Sequence, residues 1–286
     1  MKYFQLKITT FVCAFILMIN AHANQGGALS VDTTAGKPVW EVGVFSAAFR
    51  GPIYPAATDY QNKFLPLPFV IYRGEKIRIG DESLIKAIAV EKERFKLDVS
   101  LGAAFNADSE DSKIREGMPD LDFMFEIGPE ASFLLHDSKV SDTWLNLQFR
   151  SVFSTDFSDV HHRGYVFQPE VSYRSDNLLF DNSRFYFSVS PTFASAKTHQ
   201  YFYDVDAKYV NSERDYYQSL GGYLGTKMSI ANRFQLTKSL MVFVGTQLGF
   251  WQGAKNDDSD LYQEKFTYAV ALGVKWTVFQ STEHIN

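Results

Sequence analysis

Long segments in which apolar and polar residues alternate are the feature that most restricts how this chain folds. Between residues 95 and 103 every second residue is apolar, and the intervening positions are Lys, Asp, Ser and Gly. The same alternation recurs in 122–136, 163–174 and 265–279. A period of two is that of a β-strand, because successive side chains of a strand point to opposite faces. The sequence therefore predicts an all-β fold.

Two classes of all-β protein share this alternation. A soluble sandwich buries its apolar face, whereas an outer-membrane barrel turns that face to lipid. The segments here often reach about 10 residues or more, which suits a tilted membrane strand of about 9–11 residues better than a sandwich strand of about 5–6. Aromatic residues, 16% of the chain, recur near the predicted strand ends, where such barrels carry aromatic girdles. These aromatic residues are Trp40, Phe49, Tyr72, Trp144, Tyr165, Trp251 and Trp276. We therefore predict a transmembrane antiparallel up-and-down β-barrel.

The pattern predicts about twelve strands, and ten remain possible because the segments 75–80 and 83–90 are short. The connections between strands alternate in length. Outer-membrane barrels place short turns in the periplasm and long loops outside, so both termini are predicted to be periplasmic. The candidate strands are 39–49, 64–73, 75–80, 83–90, 93–104, 122–136, 142–154, 163–174, 184–195, 218–230, 236–250 and 265–279. The longer connections are 50–63, 105–121, 155–162, 196–217 and 251–264.

The first residues have the pattern of a secretory signal peptide. Lys2 and Lys7 precede an apolar run, which is followed by the small-x-small sequence Ala21-His22-Ala23. The run is too short for the ~20 apolar residues of a membrane-spanning helix. Cleavage near Ala23 would remove Cys13, the only cysteine, and no internal disulfide is predicted. The predicted divisions are a signal peptide at 1–23, a periplasmic leader at 24–37, the barrel at 38–280 and a short periplasmic tail at 281–286.

The charge balance argues against a nucleic-acid partner and indicates a charged lumen. The chain has 28 Lys and Arg against 33 Asp and Glu, a net charge of -5, and nucleic-acid binding needs basic surfaces. The polar face of the predicted strands carries charges of both signs, which can pair inside a wet barrel. The predicted lumen polar network consists of Lys96, Asp98, Glu126, Glu130, Arg150, Glu170, Arg174 and Arg184.

Residue patterns that would indicate catalysis or metal binding are weak. The adjacent pair His161-His162 lies near acidic residues, but a metal site needs three or four converging ligands and neighbouring side chains diverge. The acidic stretches 108–111 and 257–260 lack the spacing of a calcium loop. The sequence has no recognisable nucleophile motif for a hydrolase. We therefore predict no catalytic residue, no metal ligand and no cofactor.

Several motifs are similar to those of a known family. The strongest is the segment 115–122, with the sequence Arg-Glu-Gly-Met-Pro-Asp-Leu-Asp, and it is followed by Glu126-Ile127-Gly128-Pro129. Earlier matches are Trp40-Glu41-Val42-Gly43-Val44, Tyr54-Pro55 and the segment 65–74. Through the combination of these motifs the chain resembles the MipA/OmpV family of outer-membrane proteins, the MltA-interacting proteins of Gram-negative bacteria.

The resemblance implies a role without catalysis. The named member of the family is regarded as a scaffold that links a lytic transglycosylase to a peptidoglycan synthase of the penicillin-binding class. Other members are treated as outer-membrane or adhesion-related proteins. The polar inward face leaves a porin-like channel for small solutes as an alternative, and scattered His and Ser leave a barrel hydrolase as a weaker one. Outer-membrane lipid is the other expected partner, and the oligomeric state is not predicted.

The motif segment also predicts local structure where a long loop enters a strand. Glycine and proline favour a turn, and Arg with neighbouring carboxylates can bond back to the loop. Our hypothesis is that this segment forms a folded cap over the extracellular mouth of the barrel. The alternative is that it is an ordinary turn at the start of a strand. The residues that would structure this loop are Arg115, Glu116, Gly117, Met118, Pro119 and Asp120.

Overall fold

The computed structural model describes residues 38–73, 78–79 and 90–283. The predicted signal peptide, the predicted leader and the last residues of the predicted tail lie outside the described residues, as do most of the candidate strands 75–80 and 83–90. The strands are β1 (Trp40–Pro52), β2 (Tyr60–Arg73), β3 (Arg78–Ile79), β4 (Val90–Lys92), β5 (Phe95–Ala104), β6 (Phe123–Asp137), β7 (Ser141–Thr155), β8 (Val160–Asp176), β9 (Ser183–Ala194), β10 (Gly222–Gln235), β11 (Leu240–Phe250) and β12 (Phe266–Gln280).

These strands form one antiparallel up-and-down sheet. Neighbours along the chain pair from β4 to β12, and β12 also pairs with β1, so the sheet curls back on itself. The order ends at β3 and β4, and within the described residues the sheet is not closed between these two short strands. The predicted fold class is confirmed. In the described part of the chain, ten strands are long, and β3 and β4 have only two and three described residues. The predicted numbers of ten and twelve strands correspond to counting without and with these two.

The boundaries differ from the prediction in three places. The connection expected at 155–162 is a turn of four residues, because β7 and β8 both continue to its edges. The turn expected at 231–235 lies inside β10, which begins only at Gly222. The long loop before β10 contains a helix, α1 (Ala196–Tyr203), that was not predicted. No helix among the described residues is long and apolar enough to cross a membrane.

Two prolines lie in β2, which pairs with β3 at one end of the described sheet. On one side β2 pairs along its length with β1, and on the other only Tyr72 and Arg73 pair with a described strand. Pro66 and Pro68 lie in the part of β2 that has no described partner on that second side. Proline lacks a backbone N–H and is tolerated where a strand does not have to donate to a neighbour.

The inward face is polar on one side of the sheet and apolar on the other. On β6 to β9 the inward positions are buried polar residues such as Asn146, Glu170 and Ser188. On β1 and β2 the inward positions include Phe45 and Leu67, which pack into an apolar cluster. The expectation of a polar lumen therefore holds for only part of the sheet. The apolar cluster also includes Ala47 and Phe105, with Phe49, Leu65, Phe69 and Phe243 packed against it.

The aromatic residues near strand ends have two different environments. Trp40, Tyr165 and Trp276 are exposed on the outward face, as expected for an aromatic girdle. Trp144 is only 1% exposed and lies on the inward face of β7, and Trp251 is 3% exposed beneath the loops. Phe49 packs against the inward apolar cluster. Phe49, Trp144 and Trp251 were wrongly predicted as girdle residues, because proximity to a strand end does not distinguish a rim aromatic from an inward one.

Candidate functional site

The loops at one end of the barrel pack together into a buried core. We call these connections the cap and the opposite end the terminus end. Among the described residues, nineteen buried hydrophobic side chains form the cluster at this end of the sheet. They come from strand ends and from all but one of the connections there. Burial of this kind is the main favourable term in folding, so the loops form a folded layer instead of separate flexible segments. The cap comprises 53–59, 105–122, 156–159, 195–221 and 251–265.

Two tyrosines lie at the centre of the cap. Tyr203, at the end of α1, is fully buried and donates from its hydroxyl to the carbonyl of Pro55 at 2.9 Å. Tyr54 donates to the carbonyl of Leu261 at 2.8 Å, and the two rings meet edge to face with centroids 6.3 Å apart. Burial raises the pKa of both hydroxyls well above the usual value, so both remain protonated donors. These two hydrogen bonds join the loop 53–59 to the loops 195–221 and 251–265.

Two buried arginines fasten the second loop of the cap to the fourth. Arg115 is 3% exposed, donates to the carbonyls of Phe202 and Pro119 at 3.2 and 3.1 Å, and lies over the ring of Tyr54. Arg214, a residue that the sequence did not single out, donates to the carbonyls of Ile114 and Glu116. Guanidinium donors therefore satisfy carbonyls of both loops, and the Pro119 carbonyl accepts from Ser109 as well.

The remaining residues of the motif shape the turn around Arg115. Gly117 has a φ of +77°, a left-handed conformation that favours glycine. Asp120 accepts from the backbone N–H of Ser109 at 2.7 Å, and the Pro119 carbonyl accepts from the Ser109 hydroxyl at 2.6 Å. Met118 packs against the cap core. Glu116 is exposed and contributes its carbonyl, not its carboxylate, to the contact with Arg214.

Trp251 fills the top of the lumen beneath the cap. Its indole N–H donates to the hydroxyl of Thr267 at 2.8 Å, and its ring lies against Gly225 and Gly249. A Cβ atom at Gly225 or Gly249 would lie 2.2 or 2.5 Å from the ring, so only glycine allows this approach. The two glycines thus create the space that holds the tryptophan.

His199 is a buried histidine from which we predict a pH dependence of the cap. Its side chain is fully buried in α1, and Nε2 lies 3.2 Å from the carbonyl of Gly222, while Nδ1 has no hydrogen-bond partner among the described residues. Burial lowers the pKa of His199 below its usual 6.5. An imidazole exposed by opening of the cap takes up a proton more readily than the buried one. The closed cap is therefore expected to lose stability as the pH falls below about 6.5.

The measurement is the rate of protease cleavage in the cap loops at pH 7.5 and at pH 5. Wild type should be cleaved several-fold faster at pH 5, and His199→Gln should lose most of that difference. His161→Gln, which changes an exposed histidine in β8, is the matched control and should respond to pH as wild type does. An unchanged pH response in His199→Gln would show that other groups control the cap.

Arg150 is the centre of the polar side of the lumen. Its Nε donates to Glu126 at 2.7 Å, and its terminal nitrogens donate to Ser100, Gln148 and Gln168. Residues on four adjacent strands, β5 to β8, are thereby joined through one guanidinium. The sequence indicated the charges of this group, but the amide partners could be assigned only from strand register.

The other predicted lumen residues form smaller contacts. Glu170 accepts from Asn146 and from the hydroxyl of Tyr186, both at 3.3 Å. Arg174 makes a two-point contact with Asp142 at 3.0 and 2.8 Å, and Arg184 makes one with Asp176 at the terminus end. Glu130 is buried, and its carboxylate accepts a hydrogen bond from the Ser132 hydroxyl. The ammonium group of Lys96 lies over the ring of Trp144. The carboxylate of Asp98 accepts from the backbone N–H of Val99.

The histidine pair and the acidic residues near it have local roles. His162 packs against the rings of Phe153 and Tyr165, and the carboxylate of Asp156 accepts from the backbone N–H groups of Ser158 and Asp159. These bonds hold the pKa of Asp156 well below its usual range. Within the described ranges, no group of three or more His, Cys, Asp or Glu side chains is arranged to hold a metal ion.

The chain matches a known protein family over most of its length. A family model described as MltA-interacting protein MipA matches residues 42–278. The chain belongs to the MipA family. The match covers all ten long strands apart from the outermost residues of β1 and β12, and it includes the whole cap. Membership of the MipA family, together with the up-and-down sheet, makes the chain an outer-membrane barrel protein. A comparison with curated proteins finds no match.

Solved structures with a similar arrangement of strands are distant in sequence. The NanC porin is 7% identical, with 84% of this chain and 99% of that one covered and a TM-score of 0.36. A bacterial polysaccharide outer membrane secretin is 8% identical, with 82% and 98% covered and a TM-score of 0.40. The outer membrane protease OmpT from Escherichia coli is 7% identical, with 83% and 95% covered and a TM-score of 0.27. At these values the similarities carry no argument about ligand or activity.

Proposed function

We propose that this MipA-family protein is a non-enzymatic outer-membrane scaffold that links a lytic transglycosylase to a peptidoglycan synthase. The observation that carries the proposal is the match of the MltA-interacting family model to most of the chain. The barrel would act as a membrane anchor, and its periplasmic end would hold both enzymes at the inner side of the outer membrane.

The packing of the barrel supports an anchor over a wide pore. The cap has its own buried core, Trp251 occupies the lumen beneath it, and Arg150 joins side chains across the polar side. A diffusion channel needs a continuous aqueous path, whereas the cap core, Trp251 and the bonded side chains around Arg150 occupy space on the inward side of the sheet. A scaffold needs no such path, and a rigid filled barrel suits that role.

Short turns connect the strands at the terminus end, and these turns would face the periplasm as in other outer-membrane barrels. The surfaces open to periplasmic enzymes are then the turns together with the predicted leader and tail. The described turns are 93–94, 138–140, 177–182 and 236–239.

The test is affinity capture with the purified full-length barrel in detergent and a purified lytic transglycosylase and peptidoglycan synthase. We expect both enzymes to be retained together at moderate salt. Replacing the exposed turn 93–94 by Gly-Ser should weaken retention more than a Gly-Ser replacement of the turn 156–159, which lies at the capped end. Failure of the wild-type barrel to retain either enzyme would overturn the scaffold.

A channel for small solutes is the second candidate, and the charged inward residues of β5 to β9 are the observation in its favour. Planar-bilayer conductance of the reconstituted wild-type barrel separates the two. We expect only rare, small openings, because the cap and the lumen side chains are packed. Stable openings with size-dependent solute flux would support the channel and would contradict a lumen obstructed by the cap, Trp251 and the Arg150 contacts.

A further inference from the structure

Five exposed apolar residues lie together on the turns at the terminus end. We call this group the turn ledge, and each of its side chains is at least half exposed. Isolated exposed apolar residues are common on proteins, but three consecutive ones at the tip of a turn, with others on the turns either side, form a contiguous patch. The residues of the turn ledge are Val140, Leu178, Leu179, Phe180 and Leu236.

Backbone hydrogen bonds hold the three turns of the ledge together. The N–H of Asp176 donates to the carbonyl of Val140 at 2.8 Å, which joins the first turn to the second. The N–H of Gln235 donates to the carbonyl of Asn182 at 2.9 Å, which joins the second turn to the third. Asn177 and Asn182 both have positive φ angles, a conformation that asparagine tolerates in tight turns. The backbone hydrogen bonds between the turns therefore hold the exposed side chains of the ledge next to one another.

The turn ledge continues the outward apolar face of the barrel. Phe180 packs against Phe234 with ring centroids 5.5 Å apart, and Phe234 shares the outward parity of the exposed Ile230 on β10. On the neighbouring side, Leu135 near the end of β6 is 51% exposed on the outward face. The same surface that meets lipid along the strands thus extends over the turns without a polar break at Phe180.

We propose that the turn ledge is a lipid-binding surface, inserted among the headgroups and upper acyl chains of the periplasmic leaflet. Transfer of apolar turn residues from water into the membrane lowers their free energy. Amphipathic residues at a membrane boundary place their polar ends toward the water. Lys139, Asp181 and Lys238 border the ledge, and the long lysine stems allow the ammonium groups to reach lipid phosphates. The lipid-covered surface on the side of β6 to β11 then includes the turns as well as the strands. On that side the barrel is inserted deeper in the membrane than the lengths of its strands would predict.

The experiment labels one cysteine in the full-length protein with a polarity-sensitive fluorophore. Cys13 is the only native cysteine and is changed to serine. Leu179→Cys reports on the ledge, Val278→Cys on the outward face of β12, and Ser158→Cys on the exposed turn at the capped end. Each labelled barrel is reconstituted into phosphatidylethanolamine–phosphatidylglycerol vesicles with and without brominated acyl chains, which quench only nearby fluorophores.

We expect the label at position 179 to be quenched at least half as strongly as the label at 278, and several-fold more than the label at 158. Quenching at 179 equal to that at 158 would overturn the lipid assignment. Protection of the 179 label only after a periplasmic enzyme is added would also overturn it and would indicate a protein-docking surface. Gel mobility of unheated samples checks that each variant is folded. The result does not depend on whether the barrel retains wall enzymes, so the scaffold is tested separately.

Discussion

Arg115→Ala is expected to open the cap. The change removes two charge-assisted hydrogen bonds to the carbonyls of Phe202 and Pro119 and leaves space beside the ring of Tyr54. The Pro119 carbonyl keeps its bond from the Ser109 hydroxyl, but the Phe202 carbonyl loses the donor described for it. That loss, together with the lost packing against Tyr54, costs about 3 to 5 kcal/mol in the free energy that keeps the loops closed. The barrel itself should remain folded, because Arg115 lies outside the strands. Protease cleavage of the cap loops in the intact barrel should increase by two orders of magnitude or more.

Lys113→Ala is the matched control for this prediction. Lys113 lies two residues away, is exposed, and pairs with Glu213 across the same two loops. Because an exposed ion pair is screened by water, its loss should leave cleavage close to the wild-type rate. Unchanged cleavage in Arg115→Ala would mean that the motif segment is only a turn before β6 and that the cap is held by other contacts.

Arg150→Ala is expected to weaken the barrel more than any other single change in the lumen. It leaves the carboxylate of Glu126 without its partner and leaves two amide oxygens, on Gln148 and Gln168, without their donor. Removing one member of a buried ion pair costs about 3–5 kcal/mol. The denaturant midpoint in detergent should fall markedly, and the fast-migrating band of unheated samples should be lost at a lower temperature.

Arg184→Ala provides the comparison within the same predicted network. Arg184 contacts Asp176 with equally short distances, but the two side chains are 42% and 44% exposed. Solvent screening limits such a pair to about 0–1 kcal/mol, so its midpoint should stay near that of wild type. Equal destabilisation by the two changes would show that burial does not set the energy of these lumen contacts.

The strands and their faces were predictable because strand periodicity is local. Each run of alternating residues carries its own signal, and the ten long strands lie close to the predicted segments. The charged members of the lumen could be chosen for the same reason. Their partners could not, since Arg150 meets Gln168 only through the pairing of β7 with β8, and a shift of one residue would turn either side chain outward.

The cap is the part that local patterns described least. The segment around Arg115 was singled out from its Gly, Pro and charged residues, but its bond to Phe202 joins residues 87 positions apart. The hydroxyl of Tyr54 reaches Leu261 across 207 positions. Neither loop has a period that indicates such a contact, and Arg214 and Trp251 carried no signal as cap residues.

The sequence by itself determined that this protein is an outer-membrane barrel of alternating strands, because lipid and lumen impose opposite chemistry on successive residues of each strand. Short motifs in the sequence also indicated the family, and the family model matches residues 42–278. Only the tertiary structure decided that the mouth is covered by a packed cap, that part of the lumen is apolar, and that exposed apolar turns extend the lipid-facing surface. Those features depend on which distant segments meet, and the meeting of segments is set by strand register and loop packing.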